Sequence, residues 1–174
     1  MIVEDGTGLA NADSYASVAE AVTYFGSRGK ADDWDGVDDQ EAALVKATDY
    51  MEHVYRLRWL SYRTTSVQAL SWPRAWVPIP DAPGGYGVGS LATYVPNNVV
   101  PTEVKRACME LALRSASAEL APDLDRKVLS ETVGPLSTQY DPSSPPYKIY
   151  RDVDMMLSSL LHGSGRLAAT VVRT

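Results

Sequence analysis

Apolar residues recur at helical spacing in three long stretches of this chain. Tyr15, Val18, Ala19, Val22 and Phe25 return every three or four positions. The spacing predicts a first helix beginning at Asp13 or Ser14, either of which caps a helix N-terminus well. Gly26 and Gly29 close it. Leu44, Ala47, Tyr50, Met51, Val54 and Tyr55 predict a second, longer helix. Asp38 with Glu41 three residues later opens it as in a capping box. It ends near Arg56 or Arg58, where cations suit the negative end of the helix dipole. Residues 32–39, between these helices, read as an acidic loop. Pro101 and Thr102 open a third helix with a small-residue face of Val104, Ala107, Cys108, Leu111, Ala112 and Ser115, running to about Leu120 before Pro122. Residues 128–132 and 136–140 flank Val133-Gly134-Pro135, which predicts a hairpin near 128–141. A short last helix covers 153–161.

The segments between are less regular. Residues 59–76 read as an aromatic-rich connector, and 77–98 as a long loop rich in proline and glycine. Gly163-Ser164-Gly165 releases an extended tail, 163–174, whose Leu167, Val171 and Val172 are apolar and suited to strand pairing. The expected fold is mainly α: a small bundle of about four helices, one β-hairpin and long Pro/Gly-rich loops. Residues 1–162 form a single domain, as a length of 174 residues implies.

Charge refines this picture. The chain carries a net −6, which opposes a dedicated nucleic-acid binder, since phosphate neutralisation supplies most of such affinity. The charge is uneven. Residues 1–55 hold 12 acids and 3 bases, residues 56–127 hold 6 acids and 9 bases, and the remainder balances at 4 and 4. An acidic first third beside a basic middle suits packing between neighbouring copies, or equally the solvated surface of a monomer. One cysteine, Cys108, leaves no disulfide framework. No apolar run reaches membrane-helix length and the start lacks a signal-peptide pattern, so the expectation is a soluble, unexported protein with no membrane partner.

No catalytic chemistry is expected. His53 and His162 are the only histidines and lie far from each other and from Cys108 in sequence, without metal-ligand spacing. No Gly-x-Ser-x-Gly elbow exists, and the glycines at 84, 85, 87 and 89 lack the Gly-Lys-Ser/Thr ending of a phosphate loop. The acidic stretch at 32–39 places Gly36 and Glu41 wrongly for a calcium loop. Neither cofactor nor metal is expected.

Three local signatures remain: Asn11-Ala12-Asp13-Ser14-Tyr15-Ala16-Ser17, Gln68-Ala69-Leu70-Ser71-Trp72-Pro73-Arg74 and Val133-Gly134-Pro135. Their order and spacing resemble a family of tailed-phage proteins, often labelled DnaT-like single-stranded-DNA-binding proteins, many of which resemble head–tail adaptors. The resemblance implies structural roles for Asn11, Asp13, Ser14, Tyr15, Gln68, Trp72, Pro73, Gly134 and Pro135. It implies a non-enzymatic virion protein at the head–tail interface that forms a homo-oligomeric ring, a dodecamer, on the portal protein. Such a ring extends the channel for packaged double-stranded DNA and supports the next head-completion or tail protein. Arg56, Arg58, Arg63, Arg74, Leu167, Val171 and Val172 are the expected subunit or partner contacts.

One stretch supports an alternative. Residues 55–76 contain four arginines, five Tyr or Trp residues and no acid. Interleaved cations and aromatics serve single-strand binding, and Tyr55, Trp59, Tyr62 and Arg63 would form that platform in a replication-type protein. The same residue types equally make core anchors with snorkelling arginines.

Overall fold

A computed structural model describes residues 1–83, 93–122, 128–132, 137–140, 148 and 150–163. The turn at Gly134 and Pro135, most of the 77–98 loop's glycines and the tail residues Leu167, Val171 and Val172 lie outside that set. The fold is mainly α. In chain order it runs α1 (Val18–Gly26), α2 (Ala31–Asp35), α3 (Gln40–Tyr55), β1 (Tyr62–Arg63), β2 (Arg74–Ala75), α4 (Thr102–Ser117), β3 (Val128–Thr132), β4 (Ser137–Tyr140) and α5 (Arg151–Leu157), with a 3-10 turn at Ser158–Leu160.

The centre is the α3–α4 pair. Leu44, Ala47, Tyr50, Met51 and Tyr55 of α3 and Val104, Ala107, Cys108, Leu111 and Ala112 of α4 are buried. Small residues on α4 let the two backbones approach closely. Cys108 is buried beside Thr48, and burial pushes its thiol pKa up. It is a packing residue.

Helix α1 starts four residues later than its apolar spacing predicts. Ser17 caps it, accepting from the Glu20 N–H while the Glu20 carboxylate accepts from the Ser17 N–H, a full capping box. Asp13 and Ser14 are drawn elsewhere. The Asp13 carboxylate accepts from the Ile2 N–H, the Ser14 hydroxyl donates to the Ala16 carbonyl, and Ser14 pairs with Val3 in a parallel bridge. The acidic stretch is also not a loop throughout. Its first half forms α2 and only residues 36–39 remain a connecting turn, so the described residues hold five helices where about four were expected, because Trp34 is buried and stacks on Phe25 at 5.1 Å between ring centroids. Helix α3 is capped by Asp39 rather than Asp38, its side chain accepting from the Ala42 N–H.

Helix α4 ends at Ser117, short of Leu120, with Ala118 already extended. The predicted hairpin is present as β3 and β4, antiparallel, with Ser130 opposite Gln139 and Thr132 opposite Ser137. The last helix begins at Arg151, and Leu161 forms a bridge with Trp59 instead of continuing it. The 59–76 connector contains a short ladder that no periodicity announces: Tyr62 pairs with Ala75 and Arg63 with Arg74. The described arms of the 77–98 loop pair as well, through Ile79 N–H to Thr93 O and Val95 N–H to Val77 O, both within 2.9 Å.

Candidate functional site

Local chemistry explains how the two N-terminal signatures meet. The Trp72–Pro73 bond is cis, and Trp72 is fully buried against Trp59, edge to face at 5.7 Å. Buried Gln68 holds the approach to that corner. Its side-chain amide donates to the Leu70 and Pro73 carbonyls at 2.9 and 3.0 Å, and its oxygen accepts from the Thr65 N–H. Tyr15, from the first signature, donates its hydroxyl to Glu52 of α3. The same hydroxyl accepts from the Ser71 and Trp72 N–H groups at 3.0 and 3.3 Å, while the Ser71 hydroxyl donates to Glu52 at 2.7 Å. One buried polar knot therefore joins the first signature, α3 and the second signature.

The knot has a pH signature. Burial first, and then the adjacent Glu52 charge, pushes the Tyr15 pKa well above its usual value. Tyr55 is raised in the same way by burial and by Asp154, to which its hydroxyl donates at 2.9 Å. Unfolded tyrosines give up their protons near pH 10, before these two do. Their contribution to stability is complete below that pH and falls as pH rises toward the folded values. Urea midpoints should therefore drop between about pH 9 and 11, and Tyr55→Phe should flatten that drop while lowering the unfolding free energy at pH 8 by about 1 kcal/mol for the lost hydrogen bond. A wild-type midpoint constant over that range would refute the assignment.

The Arg/aromatic stretch divides into an inner and an outer set. Arg74 points inward. Its guanidinium donates to the carbonyls of Leu60, Ser61 and Ser71, and burial pushes its pKa down from the ordinary arginine value. Expected on the surface as a partner contact, it is instead a strut. Tyr55 and Trp59 are 1% and 2% exposed, so neither offers a face to a base. Arg58 lies 3.7 Å from Asp154 and over the Tyr55 ring, and Arg63 donates to the Gln68 carbonyl at 3.0 Å. Outward stand Arg56, Leu57, Tyr62 and Trp76, the last three 94%, 58% and 62% exposed. Trp76 has a left-handed backbone, φ 60°, an uncommon and costly conformation for a bulky side chain, and its ring meets Tyr94 edge to face.

A second cationic region was not legible in the sequence. An open groove of about 670 Å³ runs between α1 and α4, with Arg28, Lys105 and Arg106 among its walls. These residues lie nearly eighty positions apart, and only the fold brings them together. His53 lines a separate cleft of about 500 Å³ with Lys46, Asp49 and Glu119. Among the described residues no group of three His, Cys, Asp or Glu could hold a metal ion, and no helix is long and apolar enough to cross a membrane.

These features define a small, mainly helical protein in which Tyr15 of the first signature and Gln68, Ser71 and Trp72 of the second join the scaffold, and whose surface displays an aromatic ridge and a basic groove. The chain belongs to the family described as "Putative DnaT-like ssDNA binding protein", which matches residues 1–174. That description agrees with the single-strand-binding alternative rather than with the head–tail adaptor expectation. No curated protein and no solved structure matches the chain.

Proposed function

We propose that this chain is a non-catalytic head–tail adaptor of a tailed phage, assembling with copies of itself on the portal to extend the DNA channel and support tail attachment. The observation that carries this reading is the fate of the Arg/aromatic stretch. Tyr55, Trp59, Trp72 and Arg74 are committed to the interior, so a continuous stacking platform is lost. What remains outside, Arg56, Leu57, Tyr62 and Trp76, has the composition of a protein-contact patch, where Trp, Tyr and Arg contribute most. The three signatures that resemble phage adaptors support the same reading. Its partners are its own copies, the portal, the next head-completion or tail protein and the passing duplex, and its final location is the virion.

The test is completion of portal-containing heads that lack this protein. Added purified chain should restore tail joining, scored by electron microscopy, and failure to join the heads would sink the reading.

Single-stranded-DNA binding is the second reading. The family description favours it, and so does the exposure of Tyr62 and Trp76 near Arg63 on the β1–β2 ladder. The adaptor reading expects only weak oligonucleotide binding at about 150 mM salt, because a net −6 chain neutralises few phosphates. Sub-micromolar affinity under those conditions, abolished by Trp76→Ala or Arg63→Ala, would reverse the order of the two readings.

A further inference from the structure

We propose that the α1–α4 groove is a docking surface for a second copy of this chain, and that it receives the acidic turn bearing Asp32, Asp33, Asp35 and Asp38. This inference deepens the ring reading and rests on it.

The groove is electropositive because its one lining carboxylate is already engaged. Glu20 takes Lys105 at 2.6 Å and the Ser17 N–H at 2.8 Å. Burial alone would raise its pKa, but those donors outweigh burial and hold it below the usual carboxylate value. Glu110 lies buried nearby, taking Lys30 at 3.4 Å and the Tyr24 hydroxyl at 3.1 Å. Arg28 and Arg106 are exposed. Arg28 is held in place, 3.6 Å over the Tyr24 ring and donating to the Tyr24 carbonyl and the Ser27 hydroxyl. It still has free donors on its outer edge. The Arg106 guanidinium makes no hydrogen bond or ion pair among the described residues.

The complementary surface is present in every copy. Asp32, Asp33, Asp35 and Asp38 are all exposed, and none of their carboxylates has a hydrogen bond or ion pair among the described residues. Trp34, buried in their midst and stacked on Phe25, fixes the turn that carries them. Four like charges within seven residues repel one another, and a preformed cationic groove relieves that repulsion. The acidic excess of residues 1–55 thereby acquires a use, and the basic partner is α1 and α4 rather than the arginines at 56–63. Complementary charge of this kind sets register and partner choice.

Sedimentation velocity at about 50 mM and about 500 mM salt tests the contact, since screening at the higher ionic strength should weaken it. The wild-type chain should self-associate reversibly at low salt. The pair R28E/R106E should weaken association about tenfold or more, and D32K/D33K should do the same. The quadruple variant, with both signs exchanged, should recover association, an effect that damaged folding cannot imitate. A monomeric wild type at low salt, unaffected charge-reversed pairs, or a quadruple variant without recovery would each overturn the proposal. So would a labelled oligonucleotide that binds the wild type tightly and loses its affinity in R28E/R106E, since the groove would then be a nucleic-acid surface. If R28E/R106E completes heads at wild-type yield, this contact is wrong while the ring reading stands. If wild-type protein fails to complete them, the ring reading itself is wrong.

Discussion

Replacing Trp72 with alanine should unfold the protein or leave it insoluble. The side chain has no solvent exposure, and it packs against Trp59, itself buried. Truncating such an aromatic costs about 3–5 kcal/mol through lost transfer energy and the cavity left behind. That loss approaches the whole stability of a small domain, about 5–15 kcal/mol. The damage would also spread, because the Trp72 and Ser71 N–H groups anchor the polar knot with Tyr15 and Glu52. Trp72→Phe should lose less. The indole N–H has no hydrogen-bond partner among the described residues, so phenylalanine removes a buried unsatisfied donor along with part of the ring. Circular dichroism melts of the two variants decide the matter. A Trp72→Ala protein that melts like the wild type yet fails to assemble would make Trp72 a partner contact instead of a core anchor.

Arg74→Met should be nearly as harmful despite keeping an apolar stem. The guanidinium serves three carbonyls, those of Leu60, Ser61 and Ser71, which belong to the two sides of the β1–β2 ladder. The Ser71 carbonyl is buried and those of Leu60 and Ser61 are part-buried, and a buried acceptor left without a donor costs about 1–3 kcal/mol. A total loss of about 2–3 kcal/mol is expected, read from urea unfolding curves. Arg74→Lys should restore less than half of it, because one ammonium cannot span three carbonyls as the planar fork does. Arg56→Ala, exposed and without a partner among the described residues, should stay within about 0.5 kcal/mol of wild type. Equal stability of Arg74→Met and wild type would show that Arg74 is not a strut.

The long helices were legible because helical burial repeats every three to four residues and leaves a local trace. Leu44 to Tyr55 and Val104 to Ala112 carry it plainly, and both helices appear with bounds close to those expected. The β3–β4 pairing was legible for a different reason, two short strand candidates flanking a turn signal at Val133-Gly134-Pro135. Capping was legible only to within a few residues. Asp13, Ser14 and Ser17 are all competent caps, and the choice fell to Ser17 because Asp13 and Ser14 pair with the chain's first residues. Helix α2 left no periodic trace: a single buried Trp34 in five residues cannot be told from a surface aromatic by spacing.

The candidate sites divide the same way. By itself the sequence determined a mainly helical chain, an uneven charge distribution and the presence of an Arg/aromatic stretch at 55–76. Composition counts groups without assigning them a side, so the direction each points was left to the tertiary structure. It turned Arg74 and Trp59 inward and Tyr62 and Trp76 outward, because β1 and β2, eleven residues apart, close into a ladder over the core. It also built a basic groove from Arg28, in the turn that follows α1, and Lys105 and Arg106 on α4. Periodicity is set by neighbours within one or two turns, whereas burial and electrostatic potential are set by whatever the fold brings within a few ångströms.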